Sequence, residues 1–172
     1  MGPTKIDGFG VRIAGATTTA NAENRTRFVS MYASEALEKG HAVAFDFKDT
    51  EPEPGGYGNT VCKVDSNAAH TDGDRRSMAV GIAAEATPSG FPTGATDEKD
   101  VIITVQVGGI CDYAQITALS VTESGDPLCA SNEPGELKLI AADEELIVAL
   151  HVKDGTDGAA DSTVFLLNPA NL

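Results

Sequence analysis

Apolar residues in this chain recur at every second position, in short runs, and hardly anywhere at every third or fourth. In "HAVAFDF" His41, Val43, Phe45 and Phe47 fall on one face, with Ala42, Ala44 and Asp46 on the other. "MAVGIAAEA" places Val80, Ile82 and Ala84 together. "VIITVQV" aligns Val101, Ile103, Val105 and Val107 against Thr104 and Gln106. "LIVALHVK" predicts Leu146, Val148, Leu150 and Val152 inward, with His151 and Lys153 outward. A period of two is the period of a pleated strand. The runs are separated by turn-rich text such as "TEPEPGGYGN", "TPSGFPTGATDEKD", "SNEPG" and "KDGTDGAADS". Only "SEALEKG" and "AADEEL" could make a helical turn, and both are too short to stand alone. The expected class is all-β: a compact β-barrel or sandwich.

The strand text also repeats weakly. "KGHAVAFDF", "TVCKVDS", "SMAVGIAAEA" and "VIITVQV" match "SGDPLCAS", "ELKLIAA", "ELIVALHVKD" and "STVFLLN" in order and pattern. Each copy opens on a glycine turn leading into a strand, Gly40-His41-Ala42-Val43 in the first and Gly125-Asp126-Pro127-Leu128 in the second. The barrel or sandwich is therefore expected to be two similar four-strand units packed together.

The segment before these strands differs. Residues 1–30, including "AGATTTANAENRTR", are rich in Gly, Thr, Ala and Asn and have no helical period. Such a stretch buries too little apolar surface to offset backbone ordering, about 1–2 kcal/mol per residue. It is read as an extended N-terminal arm (1–30) ahead of a β-domain (31–172). Lys5, Arg12, Arg25 and Arg27 outnumber Asp7 and Glu23 in the arm, whereas the whole chain carries a net charge of −14. The arm thus suits an acidic neighbour, including another copy of the body. Phe9, Val11 and Ile13 alternate within "GFGVRIAG" and could add one strand to a neighbour's sheet edge. The arm's candidate interface residues are Phe9, Val11, Arg12, Ile13, Arg25, Arg27 and Phe28.

Charge and composition exclude several functions. So acidic a body repels phosphate backbones, which argues against direct nucleic-acid binding. No run approaches the roughly 18 apolar residues of a membrane span. "MGPTKIDGFGVRIAG" lacks the apolar core of a secretory signal, and its Lys5 and Ile6 fit a myristoylation signal poorly. Cys62, Cys111 and Cys129 form no CxxC pair and make an odd count, against a disulfide framework or a zinc site. Cytosolic production with reduced thiols is the expectation.

Chemistry-bearing motifs are weak. Gly108-Gly109 in "VIITVQVGGICDYA" lacks the third glycine and following helix of a dinucleotide site. Cys111 has no base nearby in sequence and reads as a small buried side chain, with the glycines marking a bulge or bend. His41, His70 and His151 show no metal-ligand spacing. The acidic loops holding Asp72 and Asp74, and Asp154, Asp157 and Asp161, miss the calcium-loop template and suit ordinary turns. No catalytic residue, cofactor or metal is expected.

Together "KGHAVAFD", "SGDPLCAS", "AVGIAAEA", "VIITVQVGGI" and "ELIVALHV" resemble the capsid decoration (cement) proteins of tailed bacteriophages, over roughly residues 35–154. The resemblance rests on the strand like "AVGIA", the strand ending in Gly109-Ile110 and the turn from Gly125 to Leu128. It implies a non-enzymatic protein on the outer surface of the assembled capsid, made in the host cytoplasm. Such a protein has the major capsid (coat) protein as partner, often forms a homotrimer, and clamps coat subunits against internal pressure. The long arm and the loops at 48–60 and 85–100 depart from the minimal pattern. The alternative is a ligand- or receptor-binding β-module of glycan or tail-fibre type, for which Tyr57 and Phe91 are the candidate stacking aromatics.

Overall fold

The computed structural model describes residues 26–46, 59–66, 78–89, 91, 101–117, 123–140, 147–153 and 162–167. Among the described residues there are nine strands: β1 (Arg27–Ala33), β2 (Ala42–Phe45), β3 (Thr60–Lys63), β4 (Ala79–Ala83), β5 (Ile102–Ala114), β6 (Pro127–Ala130), β7 (Leu137–Leu139), β8 (Ala149–Lys153) and β9 (Ser162–Leu166). The all-β expectation holds. The described residues contain no helix long and apolar enough to cross a membrane.

β1 pairs with both β3 and β5, so the order β1-β3-β2-β4-β5 closes into a five-stranded barrel. Closure removes the free sheet edges that would otherwise invite pairing with other chains. The barrel is filled by Met31, Ala33, Val43, Val61, Ala83, Ile103 and Val105, with Leu37 in the same cluster. "SEALEKG" is therefore not a helical turn. It is an irregular connection that drives Leu37 into the core. Leu37 is held there by Thr87, whose Oγ1 accepts from the Leu37 N–H at 3.1 Å and whose N–H donates to the Leu37 carbonyl at 2.9 Å.

The second unit repeats the first. In the first, β2 pairs with β3 and β4, and β4 with β5; in the second, β6 pairs with β7 and β8, and β8 with β9. The register matches residue for residue. Val43↔Lys63, Ala44↔Cys62 and Phe45↔Val61 correspond to Leu128↔Leu139, Cys129↔Lys138 and Ala130↔Leu137. Ile82↔Gln106 and Ala83↔Val105 correspond to Leu150↔Phe165 and His151↔Val164. The part of β1 is taken in the second unit by the end of β5, which pairs antiparallel with β9. Just beyond it, Ile116 bridges Leu137 in parallel, as Ala33 does Val61. β5 is thus the last strand of one unit and the first of the next.

Gly108 and Gly109 mark the hand-over. A register shift lies between Arg27↔Gly108 and Phe28↔Gln106, leaving Val107 as the extra residue of a bulge. Gly109 has φ +84°, a conformation open to glycine and rarely to other residues. Before the bend β5 turns Ile103 and Val105 into the barrel. After it, Cys111 and Ala114 enter the second core, with Leu128, Leu137, Ala149, Val164 and Leu166.

Two sequence expectations about facing are corrected. In β8 it is Ala149 and His151 that are buried, whereas Leu150 is half-buried and Val152 exposed. Strand text apolar on both faces does not say which face points inward. In β4, Val80 joins the barrel core and Ile82 the second core, because a register shift between Val43 and Ala44 of β2 leaves Val80 as an extra residue. β2 itself is buried on both faces. Val43 lies inside the barrel, and Ala42 and Ala44 on its outer wall belong to the second unit's core. Alanines there keep the outer wall thin, so the second unit packs close.

Candidate assembly interface

The two turns leading into β2 and β6 set the scaffold of each unit. In the first, the His41 N–H donates to the Glu38 carbonyl (3.2 Å) while the Glu38 N–H donates to His41 Nδ1 (3.0 Å). In the second, the Asp126 N–H donates to the Glu123 carbonyl (3.1 Å) while the Glu123 N–H donates to Asp126 Oδ2 (2.7 Å). Each turn then docks on the adjacent strand alike. Gly40 donates to Ala83 and Ala83 to His41, as Gly125 donates to His151 and His151 to Asp126. The His41 ring needs an unprotonated Nδ1 for this role. Burial, then nearby Lys63, hold its pKa below the usual histidine value against the opposing pull of Glu38.

The outer faces of the two units have different fates. On the first unit the cross-strand row Ala42, Ile82 and Gln106 is buried, and β1 extends it with Phe28, which is 54% exposed. Gln106, expected on an outward face, is 1% exposed. Its Oε1 accepts from the Tyr113 hydroxyl at 2.6 Å, and its Nε2 donates to the carbonyls of Ile110 at 2.8 Å and Gly108 at 3.3 Å. These bonds tie the two halves of β5 across the bend and satisfy the buried amide. The Tyr113 hydroxyl has a raised pKa, through burial first and neighbouring Cys111 next. Lys39 Nζ lies 4.7 Å from the Tyr113 ring centroid.

On the second unit the equivalent row is Pro127, Leu150 and Phe165, and β5 extends it with Ile110. Ile110 is 54% exposed, and the other three are half-buried. Four apolar side chains on four neighbouring strands thus line an outward face, with exposed Val152 further along β8. Half-buried Pro127, Leu150 and Phe165 beside exposed Ile110 make a contiguous apolar row, unlike the single apolar side chains that any surface carries.

Of the arm residues, Phe9, Val11, Arg12, Ile13 and Arg25 lie outside the described residues. Arg27 and Phe28 begin β1, so the 30/31 boundary falls inside a barrel strand. Arg27 pairs opposite Gly108, and Phe28 is 54% exposed. No protein-family model matches the chain, and no curated protein resembles it significantly in sequence.

The chemistry-bearing residues are occupied structurally. Cys111 is fully buried, and burial pushes its thiol up to about 11, which leaves it protonated and a poor nucleophile. His151 is 2% exposed, with Nδ1 3.1 Å from the Glu123 carbonyl. Among the described residues no three His, Cys, Asp or Glu side chains gather to hold a metal. His70, Tyr57 and the aspartates at 72, 74, 154, 157 and 161 lie outside them. Phe91 is half-buried and packs against the barrel core.

Proposed function

We infer that this chain is a capsid decoration protein of a tailed bacteriophage. It is a non-enzymatic component of the virion, bound to the outer surface of the assembled capsid. Its partner is the major capsid (coat) protein, and a homotrimer is the favoured assembly. The segments carrying the resemblance form one continuous frame: "AVGIA" is β4, "VIITVQVGGI" leads into and follows β5 to the bend, and "GDPL" is the turn into β6.

The observation that carries the reading is the open apolar row of Ile110, Phe165, Leu150 and Pro127 on a body of net charge −14. In the first unit the counterparts Ala42, Ile82 and Gln106 are buried within the chain, while Phe28, the counterpart of Ile110, is 54% exposed as Ile110 is, so each unit ends its row on an exposed apolar side chain. High net charge keeps the free protein soluble, while an apolar row supplies contact area to a coat subunit. The arm, with Phe9, Val11, Ile13 and Phe28 as apolar contacts and Arg12, Arg25 and Arg27 as charged ones, adds a second attachment. Exposed ion pairs contribute about 0–1 kcal/mol each, so apolar burial must supply most of the affinity.

Cosedimentation with undecorated shells of the cognate coat protein tests this. The intact chain is expected to bind saturably, and Ile110→Asp with Leu150→Asp to lose binding while remaining folded. Undiminished binding by the double variant would remove the row from the interface.

A further inference from the structure

We propose that His41 is an acid-sensitive latch between the two units: when its ring takes up a second proton, the turn at residues 38–41 and the turn at residues 131–136 come apart. The second of these turns joins β6 to β7 and rests on the first unit. The Ala42 N–H donates to the Gly135 carbonyl at 2.7 Å, and the Gly135 N–H donates to the Val64 carbonyl at 2.8 Å. Gly135, at φ +87°, lies against the His41 imidazole, and a Cβ there would stand 2.9 Å from the ring atoms Cγ and Cδ2. Because Nδ1 accepts from the Glu38 N–H, the ring's single proton sits on Nε2. A second proton must go to Nδ1, where it would meet the Glu38 N–H, donor against donor, at 3.0 Å. Gly135 leaves the ring no room to turn away, so the proton is accommodated by opening the first turn and moving the second off it.

Burial first, and Lys63 of β3 next, keep the second proton off the ring, against Glu38 of its own turn. The other charged groups on the elements around it are Lys39 in the same turn, Asp65 just beyond β3, and Glu133 and Glu136 in the turn packed on the ring. β4 and the end of β5 bring uncharged Ala83 and Gln115 to the turn. The repeat supplies a contrast. In the second unit Asp126 holds the place of His41 and accepts from the Glu123 N–H through Oδ2. A carboxylate keeps its lone pairs across the range in which an imidazole takes up a proton. Mild acid therefore acts on the first turn and spares the second. The inference concerns the chain alone and stands whether or not it decorates a shell.

Amide hydrogen exchange tests the latch in the full-length protein, followed residue by residue by NMR across mildly acidic pH and corrected for intrinsic rates. Protection of the Glu38, Ala42 and Gly135 amides is expected to fall about tenfold per pH unit below 6.5, while that of the Glu123 amide and of Val105 inside the barrel holds. Protection of the first three that stays flat with pH would overturn the proposal. A fall shared equally by all five amides would also overturn it, by showing that the whole domain opens and not the junction. His41→Asn keeps an acceptor for the Glu38 N–H and takes up no proton, so it should abolish the fall; a fall that persists would assign it to another group. The comparison among amides of the unmodified chain decides the question even where the variant fails to fold.

Discussion

Gly40 and Gly125 hold the same place in the two units, at φ +95° and +100°, but in different surroundings. A Cβ on Gly40 would lie 2.3 Å from the Tyr113 carbonyl oxygen, whereas one on Gly125 would meet nothing within 4 Å. The end of β5 crosses the first turn, where the Gln115 N–H donates to the Gly40 carbonyl at 3.0 Å. Gly125→Ala is expected to cost only the backbone strain, about 1–2 kcal/mol. Gly40→Ala adds a backbone collision and should cost at least about 3 kcal/mol or prevent folding. Urea unfolding of the two variants checks the difference, and equal losses would refute the covered-turn geometry.

Tyr113→Phe removes the donor to buried Gln106 Oε1. An unsatisfied buried acceptor costs about 1–3 kcal/mol. Gln106→Leu removes the other partner, and the two substitutions together should cost less than the sum of each alone, with a coupling of about 1 kcal/mol. A double-mutant cycle by chemical denaturation measures this. Strict additivity would mean that the bond across the bend contributes nothing.

His41 accepts a backbone hydrogen bond on Nδ1 and has a pKa below its ordinary 6.5. The unfolded chain therefore takes up a proton at this site before the folded one does. The associated stability is complete above pH 6.5 and is lost as pH falls from there through the lower folded value. His41→Asn, with an acceptor and no titration, should flatten that part of the stability–pH curve relative to the parent. An unchanged slope would show that His41 does not titrate against folding.

Cys62, Cys111 and Cys129 are buried free thiols. With its thiol near 11, Cys111 is roughly one part in a thousand thiolate at pH 8. A colorimetric thiol reagent should find almost nothing to react with in the native protein and three equivalents after denaturation. Rapid reaction of Cys111 in the native state would reopen a nucleophilic role.

Much of this architecture was legible in the sequence. The period of two shows the strands, the glycine turns at 40 and 125 align the units, and the pair at Gly108-Gly109 marks the bend. Val101, Ile103, Val105 and Val107 share a face as their spacing says, because that stretch has polar residues opposite. What escaped depends on long-range partners. β8 is apolar on both faces, so its text could not reveal that His151 points inward onto the Glu123 carbonyl. Gln106 looks like a surface residue until Tyr113, seven positions on, folds over it. Val80 changes cores because of a one-residue bulge, which leaves no mark in an alternating run. The apolar row was hidden for the same reason as β8: Leu150 reads as a core residue, and only the pairing of four strands sets it beside Ile110 and Phe165 on an outward face.

The central claim is that the chain decorates an assembled capsid through its apolar row and its arm. The most direct measurement is electron-microscopic imaging of undecorated shells incubated with purified protein, together with the temperature at which the shells rupture. The account predicts saturable density at symmetry-related outer sites and a raised rupture temperature, with both lost when Ile110 and Leu150 become aspartate. Shells that stay bare and rupture at an unchanged temperature in saturating protein would contradict it.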